Sequence, residues 1–226
     1  MKILVILFAL FFSSLAQAAK ITVPIDVGVG PSVLNWTGDL ATDQQWHYGV
    51  SISAAAIIDK KTLKKHKKKI PKQYRSQLKK MDEIRIGYAL IPDTLILSPK
   101  TVNTGMYGAT WSPLGLGMPV DMGNARFRLG VDALLTYAYI DSDLDSLGTT
   151  HFLRLGLGPE AGLEIPLGET FLVSFHWRSA LYIPQGVGAG VANPGPILDG
   201  NPDGSIWHVG QGSFQLHYRF PYSTRI

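Results

Sequence analysis

Arg126-Phe127-Arg128-Leu129-Gly130-Val131-Asp132-Ala133-Leu134-Leu135-Thr136-Tyr137-Ala138-Tyr139 decides the fold. Phe127, Leu129, Val131, Ala133, Leu135, Tyr137 and Tyr139 take one parity, and Arg126, Arg128, Gly130, Asp132, Leu134, Thr136 and Ala138 take the other. Successive side chains of a strand point to opposite faces, so period two over this length means a strand with one apolar and one polar side. The pattern resumes at Leu153 to Ile165, where Arg154, Gly156, Gly158, Glu160, Gly162 and Glu164 hold the polar parity. After Leu167-Gly168-Glu169 it returns from Phe171 to Ile183, with Ser174, His176 and Arg178 on the polar side. Such runs reach the length of about 9–11 residues that a tilted strand needs to cross a membrane.

Outward from that core, more strands follow. Lys20–Gly30 reads as a first strand in which Pro24 limits pairing, and Asn35–Asp39 reads as loop. Trp46–Ile58 is a second strand. Glu83–Leu97 is a third, interrupted at Pro92-Asp93, and Gly105–Leu114 is a fourth, followed by a turn over Gly115–Asn124. Val187–Ser205, rich in glycine, proline and asparagine, is a long loop before a last strand over Trp207–Phe220. The count is eight, which puts both ends of the chain on one side of a barrel.

Between the second and third strands stands a basic insertion, 59–83. Lys60, Lys61, Lys64, Lys65, Lys67, Lys68, Lys69, Lys72, Arg75, Lys79 and Lys80 lie within it, and no acid lies between Lys60 and Lys80. Taking those 11 from the 21 basic residues leaves 10 against 17 acids, so the net charge of +4 reports one segment. Leu63, Ile70, Tyr74, Leu78 and Met81 are spaced as a helical stripe, with Asp59 as its cap and Pro71 as a kink. The segment is expected to dock on an anionic lipid or envelope polymer; nucleic acid is not expected as a partner of an exported chain.

At the other end of the composition, cysteine is absent, which excludes disulfides and thiolate chemistry. Met1-Lys2, the apolar run Ile3–Phe12 and Ser13–Ala18 form a secretory signal peptide, 1–18, with 19–226 as one barrel domain. A soluble periplasmic lipid-binding barrel would also alternate, with its apolar side inward. Long regular strands, a glycine-rich polar parity and aromatics near strand ends favour a transmembrane barrel in the cell outer membrane instead.

On these features the chain resembles the small eight-stranded bacterial outer-membrane β-barrel proteins of the OmpA, OmpX and OmpW kind. Phe214, Leu216, Tyr218 and Phe220 resemble their closing strand, although Pro221–Ile226 runs past it. The resemblance implies an all-β, antiparallel up-and-down barrel among membrane lipids, with a structural or small-permeation, porin-like role.

The chemistry-bearing residues point to no cofactor and no metal. Asp141-Ser142-Asp143-Leu144-Asp145 begins like a calcium loop but has Ser146 at the sixth place and Phe152 at the twelfth, where glycine and glutamate are needed. An enzyme acting on outer-membrane lipids, an acyl hydrolase or acyltransferase, is the alternative function. Ser179 faces lipid, but His151 on the neighbouring strand is offset by a distance of about 20 Å. Ser174, His176 and Glu160 share the inner face and are weak catalytic candidates; filling of the interior is their plainer role. Pairing the strands through their turns puts Glu160 opposite His176, with Arg178 diagonal to Glu160, Glu164 opposite Arg126 or Arg128, and Asp132 near Glu160. Arg126, Arg128, Asp132, Glu160, Glu164, His176 and Arg178 are therefore expected to form an inward charge network that plugs the barrel.

Overall fold

The computed structural model describes residues 20–37, 46–66, 82–88, 90–101, 103–143, 150–186 and 207–225. In chain order the elements are β1 (Lys20–Thr37), β2 (Trp46–Asp59), α1 (Lys60–His66), β3 (Glu83–Gly87), β4 (Thr94–Ser98), β5 (Thr104–Met122), β6 (Ala125–Ser142), β7 (Thr150–Pro166), β8 (Phe171–Gly186) and β9 (Trp207–Arg225). The signal peptide expected over 1–18 and the long loop before β9 lie outside the described residues.

All pairings are antiparallel, and β1 pairs with both β2 and β9, so the sheet closes on itself. The nine strands occupy eight wall positions, because β3 and β4 lie end to end between β2 and β5. The interruption expected at Pro92-Asp93 is thus a step out of the wall between two halves of one strand position. The backbone is patched across the step: Ile52 N–H donates to Asp93 O at 2.8 Å, and Asp93 N–H donates to Thr110 O at 2.7 Å. Leu90, at the tip of the step, is 94% exposed.

Several strands run further than the sequence pattern indicates. β1 continues through Asn35-Trp36-Thr37, expected as loop, because Trp36 turns inward and is buried. β5 continues through Gly115–Met122, expected as a turn; only Gly123-Asn124 separates it from β6. Its alternation is broken by a bulge at Ser112-Pro113, where two residues of β5 oppose Leu134 alone. The bulge switches the inward parity from Thr104, Met106 and Thr110 to Gly115 and Gly117, so a single alternating pattern cannot follow the strand. Pro24 stands opposite Pro221, beyond the last rung that joins β1 to β2 and the last that joins β8 to β9. Neither missing N–H leaves a gap in those two ladders.

Short connections, Gly123-Asn124 and Leu167–Thr170, gather at one end with the start of β1 and the end of β9; this is called the turn end, and the opposite end the loop end. Of the insertion 59–83, α1 is described as helix. Asp59 caps it, its Oδ1 accepting from Thr62 N–H at 2.7 Å, and Lys60 pairs with Asp82. Residues 67–81, including Lys67, Lys68, Lys69, Lys72, Arg75, Lys79 and Lys80, lie outside the described residues. Glu83, where the third strand is expected to begin, opens β3 and points into the barrel.

Closure gives a direct test. Val27 and Tyr218 face each other across β1 and β9. In this cysteine-free chain, Val27→Cys with Tyr218→Cys should form a disulfide on mild oxidation, since paired residues lie about 4.5–5.5 Å apart and fit disulfide geometry. The crosslink should shift gel mobility only under non-reducing conditions; absence of the shift in folded protein would contradict a wall closed at this seam.

Candidate functional site

The inward parity of the turn half carries the charges. Glu83 Oε1 accepts from Arg85 Nε and from Arg128 Nε, each at 2.9 Å. Arg85 Nη2 lies 2.5 Å from Glu164 Oε1, and Arg128 also pairs with Glu160. Higher up, Arg178 pairs with Asp93, with Asp132 at 3.2 Å, and donates to Gln211 Oε1 at 2.7 Å. Arg128 and Glu83 are each 1% exposed as side chains. Ions so far from water persist only when paired and hydrogen-bonded.

A second cluster begins at Asp26. Arg219 donates to Asp26 Oδ2 through Nε at 3.0 Å and Nη2 at 2.5 Å. His217 Nδ1 is 2.5 Å from Asp26 Oδ1, and His217 Nε2 is 2.7 Å from Ser174 Oγ. The carboxylate accepts, so Nδ1 carries the proton and Nε2 accepts from the serine hydroxyl. The order serine, histidine, aspartate is that of an activated nucleophile. Ser174 is 1% and His217 2% exposed, however, and neither borders the interior cavity. No substrate carbonyl can approach Ser174 Oγ, so the chain of bonds satisfies buried polar groups.

Glycines on the inward parity make room for these side chains. A Cβ at Gly158 would stand 2.6 Å from Arg178 Cδ, and one at Gly117 would stand 2.7 Å from Arg128 Nε. His176 lies against Gly162 in the same way, and neither of its ring nitrogens has a hydrogen-bond partner among the described residues. His176 borders a cavity of about 70 Å³ together with Arg85, Arg128, Asp132, Glu160 and Arg178. That volume holds about two waters at ~30 Å³ each.

Toward the loop end the interior turns apolar. Leu34, Trp36, Ile96, Met106, Leu134 and Ile140 cluster there with Tyr182. The Thr136 hydroxyl, bonded at 2.8 Å both to Thr110 and to Tyr182, marks the boundary.

Against the residues named from sequence, Arg128, Asp132, Glu160, Glu164, His176 and Arg178 all face the interior. Arg126 does not join them: it sits at the turn-end rim, bonded to Asp121 at 3.2 Å, although its backbone stands opposite Glu164. Glu160 stands opposite Arg178, and His176 opposite Gly162, not Glu160 opposite His176. The turn takes in Thr170, closing with Leu167 N–H donating to Phe171 O, which moves the register by two residues and keeps the inward face. Asp132 is opposite Gly158, and Glu160 is opposite Gly130. Sequence reasoning missed Asp26, Glu83, Arg85, Asp93, Gln211 and Arg219. Gln211 and Arg219 sit on the polar parity of β9, and Glu83 and Arg85 on the parity opposite Ile84 and Ile86, the signals that mark them; Asp93 was hidden by the step in the wall. Lys60, Lys61, Lys64 and Lys65 are exposed on α1.

The outer face is the reverse of the inner. Val29, Tyr48, Leu97, Leu157, Phe175, Trp177, Phe214 and Leu216 are among the large apolar side chains that remain exposed around the wall. A soluble barrel would bury these and expose its charges. The fold is an outer-membrane-type β-barrel.

The barrel is similar to solved structures of that size class. Neisserial surface protein A is 13% identical, with 87% of this chain and 97% of that one covered and a TM-score of 0.49. Ail, the attachment invasion locus protein of Yersinia pestis, is 10% identical over 88% and 99%, with a TM-score of 0.46. The outer membrane protein OprG from Pseudomonas aeruginosa is 11% identical over 90% and 97%, with a TM-score of 0.41. No protein-family model matches the chain, and no curated protein matches its sequence.

The Arg85–Glu164 pair tests the network. Arg85→Met or Glu164→Gln alone strands a buried charge and should cost about 3–5 kcal/mol, while the double change should cost clearly less than the sum. Urea unfolding in detergent reads this; strict additivity would mean that the two groups do not interact.

Proposed function

We propose that this chain is exported through its signal peptide, 1–18, and resides in the cell outer membrane as a barrel with a structural or small-permeation role. The observation that carries the reading is the reversal of polarity across the wall. Apolar side chains surround the outside, while Glu83, Arg85, Arg128, Asp132, Glu164 and Arg178 lie inside. Only a surrounding hydrocarbon makes that arrangement favourable.

The interior is closed to solutes larger than a few waters. Charged side chains of opposite sign meet across the turn half, and the cluster around Trp36 and Met106 fills the loop half. Conductance through the purified protein in planar bilayers should be small or absent. A large steady pore would refute the closed interior. Leu157, exposed on the outer wall, supplies an independent test of orientation: Leu157→Arg should lower stability in lipid by about 2–4 kcal/mol at mid-bilayer, read by folding titrations into vesicles. An effect near zero would place that face in water.

The basic insertion, emerging at the turn end beside the membrane surface, binds anionic headgroups or an anionic envelope polymer. Each lysine near an anionic bilayer contributes about 1 kcal/mol. A peptide of residues 59–83 should bind anionic vesicles in a salt-sensitive manner; equal binding to neutral vesicles would sink this part of the reading.

A further inference from the structure

The lipid-facing wall is apolar almost throughout, so its polar exceptions stand out. The described side chains of the outward parity include three polar ones on neighbouring strands, Asn35, Ser179 and His208. These lie on three consecutive strands. Ser179 and Asn35 each stand opposite Gly210, one from β8 and one from β1. Ser179 Oγ is 2.7 Å from His208 Nε2, and this bond is half-buried. A polar group facing hydrocarbon is costly unless it is bonded, and valine or leucine at these positions would avoid the cost altogether. Ser179 and His208 meet in one bond, while Asn35 lies two strands from Ser179 on the same rung.

Their position suits an ester. His208 is the second residue of β9 and Asn35 lies two residues before the end of β1, so the group sits toward the loop rim. Acyl ester carbonyls of the lipid leaflet lie just inside that rim. Trp177 lays its ring against Gly210 and Gly212, giving an apolar surface below the serine for an acyl chain.

We propose that Ser179 and His208 form a lipid-facing acyl-ester hydrolase site, resting on the membrane placement of the barrel. His208 Nε2 takes the proton of Ser179 as Oγ bonds to the ester carbonyl carbon. Negative charge gathers on the carbonyl oxygen as the bond forms. Collapse breaks the bond to the alcohol oxygen, which leaves with the proton from His208, and the acyl group stays on Ser179. Water, deprotonated by His208, then attacks the acyl-serine; free fatty acid leaves, and the proton returns to Ser179. The products are a fatty acid and a lysolipid, with no redox change. The substrate is a fatty acyl ester of an outer-leaflet lipid, whether a glycerophospholipid or an acylated saccharolipid.

The full-length barrel, folded in mixed micelles, is offered diacyl phosphatidylethanolamine in one arm and lipid A in the other, and fatty acid release is measured. Release is expected in one arm, which identifies the source of the ester. Loss of a nucleophile or its general base should cost at least about 100-fold, so Ser179→Ala and His208→Ala should each abolish most of it. Ser174→Ala, in the sealed interior, should leave it unchanged. A fluorophosphonate should label Ser179, and the label should fall in His208→Ala. Heat-modifiable migration on gels reports folding of every variant, so failure of the barrel is told apart from failure of the site. Release that survives Ser179→Ala overturns the assignment. So does the absence of release and labelling in protein that migrates as folded.

Discussion

A wall surrounded by hydrocarbon has no water to satisfy its backbone, and every ladder must therefore find its partners within the wall. Closure of β1 on both β2 and β9 meets that requirement. The irregularities of the chain are placed where they do least harm to it. The two prolines near the chain ends face each other beyond the neighbouring ladders. Ser112-Pro113 forms a bulge, and the chain between β3 and β4 steps outward while Asp93 reconnects the backbone to both neighbours. The step carries Leu90 outward on an apolar tip, which lipid accepts and water would not.

Closing the wall also fixes what can fill it. The inward face of an eight-position barrel leaves little space, and large charged side chains lie over neighbouring residues that have none. Arg178 lies over Gly158, Arg128 over Gly117 and His176 over Gly162. Glycine on the polar parity is thus a counter-shape to arginine and histidine, and the charges then find each other at short range. Arg219, 3.9 Å from Glu164 and bonded to Asp26, joins the two clusters of the turn half. Above them the interior is mostly an apolar cluster, with Arg154 and His47 buried beside it.

The same geometry separates two serines that look alike in sequence. Ser174 takes part in a complete serine, histidine and aspartate chain, yet it is sealed among side chains and can meet no substrate. Ser179 has the shorter arrangement, with His208, but it faces the lipid. Parity alone assigns one to the interior and the other to the wall. Which histidine each one meets depends on how β9 pairs with β8.

The sequence by itself determined a closed barrel and, for most strands, which face turns inward. A period of two is a local property, and composition on each parity states which side meets hydrocarbon. It also marked Arg128, Asp132, Glu164 and Arg178 as inward groups. Only the tertiary structure decided the partners. Thr170 in the β7–β8 turn moved Glu160 from His176 to Arg178, and the rim position took Arg126 out of the network. The bulge in β5 reversed the inward parity partway along the strand, and the step before Asp93 hid an acid that pairs with Arg178. Register depends on how many residues a turn or bulge consumes, and that number is set by closure of the whole wall, a constraint that no single stretch of sequence contains.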